Sequence, residues 1–116
     1  MLSEEDNQAI LLFFENIPKY YNCKTEIVEG IYARTEDFDA NNTTWNLSEF
    51  VLIRSAYRKN GNRLMMEGDK MYYELSAGII VKFDQVGRDK YEFIEQYSST
   101  VFRITKIRFH LKPGGK

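Results

Sequence analysis

The chain offers little of the usual raw material for catalysis. Cys23 is its only cysteine and His110 its only histidine. That excludes an internal disulfide, a cysteine–histidine zinc cage and any paired-histidine metal motif. No P-loop, dinucleotide fingerprint or Gly-x-Ser-x-Gly elbow is present. The loop segment Asp37-Phe38-Asp39-Ala40-Asn41 opens like a calcium loop, but Asn42 stands where the sharp turn needs Gly and Ser48 where the bidentate Glu belongs. We therefore expect no cofactor and no metal. A Cys23–His110 nucleophilic pair is the one thiol–imidazole combination available, and nothing around Cys23 favours a thiolate, so the expectation is a protein that is not an enzyme.

Charge of one sign is lacking too. Sixteen bases face seventeen acids, a net −1, so nothing global demands a nucleic acid or an anionic membrane. No run approaches the ~18 apolar residues that span a bilayer; the stretch from Ile10 to Phe14 is short. The start, Met1-Leu2-Ser3-Glu4-Glu5-Asp6, is acidic where a secretory signal is basic. The expected setting is cytoplasmic, with no membrane contact. Asn-x-Ser/Thr triplets at Asn41, Asn42 and Asn46 then read as a polar loop rather than glycan acceptors.

What the sequence does hold is aromatic surface: eight Tyr, eight Phe and one Trp. At 116 residues the chain is read as one domain, residues 1–116, large enough to bury about two-thirds of its surface. Helical logic is confined to its beginning. Ser3 is a good N-cap with Asp6 three positions on, and Glu4, Glu5 and Asp6 place negative charge at the positive end of the helix dipole. Ala9, Leu12, Phe13 and Ile17 recur at helical spacing, with Ile10 and Phe14 widening the stripe, and Pro18 stops the ladder. These signals predict a helix over 4–16.

From Cys23 the punctuation changes to short β-rich runs. Lys24 to Arg34 reads as a strand with a bulge at Gly30, Glu36 to Asn46 as a loop, and Glu49 to Arg58 as the next strand. Asn60-Gly61 is a type I′ hairpin signal before a return strand from Arg63 to Met66. Further strands are expected over Lys70 to Ser76, Ile79 to Phe83, Lys90 to Glu95 and Thr100 to Leu111, with Ala77-Gly78 either a hairpin or a bend. Short connections favour a wholly antiparallel meander, since parallel strands need long crossovers. The fold class is α+β: one N-terminal helix packed on a curved antiparallel β-meander or half-open barrel of six to seven strands, β-rich over 23–111, with a frayed tail at 112–116.

The neutral total conceals a division. Residues 1–45 carry nine acids and three bases, net −6; residues 46–116 carry eight acids and thirteen bases, net +5. On the last strand, alternation puts Lys106, Arg108 and His110 on one face and Ile107, Phe109 and Leu111 on the other. Phe102 and Ile104 fall in the opposite phase, which predicts a bulge or twist near Thr105. Arg103, Lys106, Arg108 and His110 are the candidate partner-binding residues, and Glu36, Asp37 and Asp39 a second, acidic patch. The plain alternative is an edge strand whose charges discourage aggregation.

Thin catalytic material and abundant Tyr favour a small non-enzymatic protein-binding module, since interfaces are enriched in aromatics and Arg. Inhibitors, immunity-type and accessory proteins of bacteria or phages have this size. The two patches also allow a homo-oligomer. Two alternatives stay open: a single-stranded nucleic-acid binder using the basic C-terminal strand, with Tyr72, Tyr91 or Tyr97 as stacking platforms, and a ligand-binding barrel lined by Tyr57, Tyr73, Phe83 and Phe93.

Overall fold

The computed structural model describes residues 2–33, 43–58 and 60–111. Helix α1 spans Glu4–Asn16. Its N-cap is Ser3, whose hydroxyl accepts the Asp6 amide at 3.1 Å, satisfying one of the donors a helix start leaves unpaired. Pro18 ends the α-helical ladder, and the chain continues as a 3-10 turn over Ile17–Tyr20. Seven strands follow: β1 Lys24–Ala33, β2 Thr44–Arg58, β3 Arg63–Gly68, β4 Tyr72–Ser76, β5 Ile80–Gly87, β6 Lys90–Gln96 and β7 Val101–His110. Every pairing is antiparallel, and the sheet order is β4-β3-β2-β1-β7-β6-β5.

That order is a meander wound almost into a ring. Among the described strands the pair β4–β5 is missing, so the sheet curves without closing, and the two edge strands are consecutive in the chain. They are joined by a 3-10 turn at Ala77–Ile79, neither a hairpin nor one continuous strand. Helix α1 fills the hollow. Its buried side chains are Ile10, Phe13 and Phe14, with Ile17 following in the turn. The Phe13 ring lies 4.6 Å from Tyr91, 5.2 Å from Phe93 and 6.0 Å from Phe83, while Phe14 meets Tyr57 at 5.2 Å. Tyr20 stacks on Phe109 at 3.9 Å and donates its hydroxyl to Asp89.

Several sequence expectations are corrected. The buried helix stripe is 10-13-14-17; Ala9 and Leu12 face solvent. Both stripes have helical spacing and share Phe13 and Ile17; Ile10 with Phe14 buries more apolar area than Ala9 with Leu12 would. β2 begins at Thr44, so the expected loop through Asn46 is shorter. The β2–β3 connection places Gly61 and Asn62 at positive φ, with Arg58 opposite Arg63, so the loop has four residues rather than the two of a type I′ hairpin. Strand β1 has no bulge at Gly30: it stays in register with β7 from Lys24↔His110 to Ala33↔Val101. Gly30 serves contact instead. A Cβ there would stand 2.8 Å from the Trp45 ring and 2.9 Å from Ile104, so only glycine lets Trp45 lie across β1.

Strand β7 has no bulge near Thr105 either. Alternation is unbroken, and it is the apolar residues that change face. Ile107 and Phe109 point into the hollow, whereas Phe102 and Ile104 join Tyr32, Trp45 and Ile94 in a second small cluster on the outer face. The acidic patch Glu36, Asp37 and Asp39 and the tail 112–116 lie outside the described residues.

Candidate interaction surface

The inner face of β7 continues past Ile107 with Thr105 and Arg103. Arg103 therefore belongs to the interior, correcting its expected place on the surface: its side chain is 15% exposed. It donates from Nε to Glu95 at 2.7 Å, from Nη1 to Glu29 at 2.9 Å and from Nη2 to the Glu74 carbonyl at 2.6 Å. Glu95, fully buried, also accepts the Ser76 amide and the Tyr97 hydroxyl. Tyr73 shares a 2.7 Å hydrogen bond with Thr105. Burial pushes the Tyr73 phenol above its ordinary range. Desolvation by itself would lower Arg103, but the Glu95 hydrogen bond and the surrounding charges outweigh it and hold the guanidinium above its usual value.

This cluster stands where the sheet fails to close. Arg103 and Glu95 reach across to the Glu74 carbonyl and the Ser76 amide of β4, supplying from side chains part of what a β4–β5 ladder would have given. No buried polar side-chain atom among the described residues lacks a hydrogen-bond partner, and the clasp is part of that paired set. Among the described residues no group of three or more His, Cys, Asp or Glu is arranged to hold a metal. No helix among them is long and apolar enough to cross a membrane. Cys23 is buried.

The outer face is different. Helix α1 covers the concave side and leaves the convex side of β6-β7-β1-β2 open. Register lays it out in rows. Ile94, Ile104, Gly30 and Trp45 form one; Glu92, Lys106, Val28 and Leu47 the next; Lys90, Arg108, Glu26 and Glu49 the third; His110, Lys24 and Val51 the fourth. Lys106 and Arg108 are exposed on it, and the Lys106 ammonium sits 5.5 Å over the Trp45 ring. Leu47 is 77% exposed. The row is not purely cationic: His110 is 2.7 Å from Glu26, Lys24 is 2.6 Å from Glu49, and Glu92 stands opposite Lys106. Of the four basic candidates, the structure thus brings Lys106, Arg108 and His110 to one face and removes Arg103.

Sequence reasoning missed the apolar centre of this face. Trp45 fell inside the expected loop and Leu47 between that loop and the strand expected from Glu49, although Thr44-Trp45-Asn46-Leu47-Ser48 alternates polar and apolar at the period of a strand. No protein-family model, curated protein or solved structure matches the chain.

Proposed function

We propose that this protein is a non-enzymatic protein-binding module whose partner docks on the outer face of β7-β1-β2. The observation that carries the reading is Leu47, 77% exposed beside Trp45 and opposite Val28. Monomers rarely leave contiguous apolar surface open without use. An aromatic and aliphatic centre ringed by Lys24, Lys106, Arg108, Glu26 and Glu49 has the anatomy of an interface: a dry middle and a polar rim. The partner chemistry that fits is a protein surface with an apolar knob and a rim bearing both charges. An inhibitor or accessory role accords with a docking surface of this kind.

A single-stranded nucleic acid is the second reading, favoured by the Lys106–Trp45 stack. The interleaved Glu26, Glu49 and Glu92 weigh against it, because they repel a phosphate backbone. A ligand barrel has less support, since Phe13 occupies the space between Phe83, Tyr91 and Phe93.

Trp45, the sole tryptophan, reports on both. The decisive experiment captures partners from native cells with the wild type and with Leu47→Arg. The captured protein is then purified and titrated while Trp45 fluorescence is followed. Saturable binding by the wild type, weakened at least ~10-fold by Leu47→Arg, supports the module. Equal binding by the variant rejects this face. Quenching by an oligonucleotide that fades steeply with salt transfers the face to the second reading.

A further inference from the structure

The sheet has two edges, and they are not alike. On β4 the Glu74 carbonyl is taken by Arg103 and the Ser76 amide by Glu95. Among the described residues strand β5 pairs with β6 alone, and its side chains from Lys82 to Val86 are exposed apart from a half-buried Phe83. Between register shifts at Ile80/Lys82 and Gln85/Gly87 it runs regularly, with Lys82, Phe83, Asp84 and Gln85 opposite Ile94, Phe93, Glu92 and Tyr91. An open edge of this kind is a template for another strand.

From the charges on that edge we infer that β5 is a homodimer interface: two copies pair their β5 strands antiparallel about Phe83, each Lys82 facing the other copy's Asp84. Asp84 is set opposite Glu92 in its own sheet, a like-charge cross-strand pair that is destabilising. Its cation at hand is Lys82, two residues back at 3.6 Å, and both side chains are at least half exposed. A second copy supplies each Asp84 with a cation on its open side and repeats the favour by symmetry, as a two-fold interface requires. Charge also fixes the register. Moving the axis to Lys82 sets two lysines face to face, and moving it to Asp84 sets two aspartates. The bulges confine regular pairing about Phe83 to Lys82–Asp84, a small interface well under the ~1,200 Å² of a standard one. Self-association on the order of 100 µM is the expected strength. This interface is separate from the outer face of β7-β1-β2 and stands whether or not that face binds a partner.

Sedimentation velocity from ~10 µM to ~1 mM tests it on the full chain, with near-UV circular dichroism confirming that each variant is folded. The wild type should shift toward a dimer as concentration rises. Lys82→Glu and Asp84→Lys should each weaken association at least ~10-fold. An equimolar mixture of the two should associate again, and so should the doubly exchanged protein, because both restore opposite charges across the axis. A wild type that stays monomeric throughout leaves Lys82 as a guard against edge pairing and overturns the proposal. So does a dimer indifferent to the single changes, or single variants that do not recover on mixing.

Discussion

Arg103 and Arg108 stand five residues apart on one strand and on opposite faces of it. The first is enclosed with Glu29 and Glu95; the second lies in water beside Glu26. Removing Arg103 would strand the fully buried Glu95 carboxylate without its counter-charge, the costly way to break a buried pair. Arg103→Ala is expected to destabilise the fold by about 3–5 kcal/mol, and Arg108→Ala by no more than about 0.5 kcal/mol. Urea unfolding of both variants checks the contrast, and equal midpoints would contradict the assignment of faces. The sequence carried the alternation that separates these residues. It did not carry the sign of the face, because Phe102 and Ile104 looked like core and drew Arg103 outward with a supposed bulge. Apolar residues on the outer face belong to a second cluster, and a single-core assumption cannot see it.

At the scale of the element, helix α1 had its start, stop and caps written locally. Ser3, the acidic first turn and Pro18 act within a few residues, so the range 4–16 was readable. Which side it buries was readable only in part: the expected stripe held Phe13 and Ile17, widened by Ile10 and Phe14, all four buried, but Ala9 and Leu12 satisfy the same spacing and face solvent. Phe13 is 5% exposed and Leu12 57%. Phe13→Ala should therefore cost about 3–5 kcal/mol, while Leu12→Ala should stay within about 0.5 kcal/mol. Thermal unfolding of the pair measures this, and a Leu12 variant as damaged as the Phe13 one would mean the helix is seated differently.

The whole molecule is a ring of strands whose hollow is filled by a helix and whose gap is bridged by a polar clasp, and the phenols buried inside it give it a pH dependence. Burial, followed by the Asp89 hydrogen bond, pushes Tyr20 upward; burial pushes Tyr73 upward. A phenol whose pKa is raised by folding contributes stability that is complete below the unfolded value, near 10, and is lost as pH climbs from there toward the folded value. The denaturation midpoint is thus expected to hold between about pH 8 and 9.5 and to fall above about pH 10. Tyrosinate absorbance from these two residues should emerge only together with unfolding. A midpoint unchanged to about pH 11 would show that neither phenol is held as described.

By itself the sequence determined one helix at the beginning, antiparallel strands thereafter, and thin means for chemistry, because caps, turns and alternation act over a few neighbouring residues. Tertiary structure alone decided that β4 and β5 stay unpaired, that Arg103 turns inward to clasp the gap, and that Trp45 and Leu47 share an open face with Lys106. Those outcomes depend on which distant strands lie side by side, and no local pattern encodes the competition for the interior that settles it.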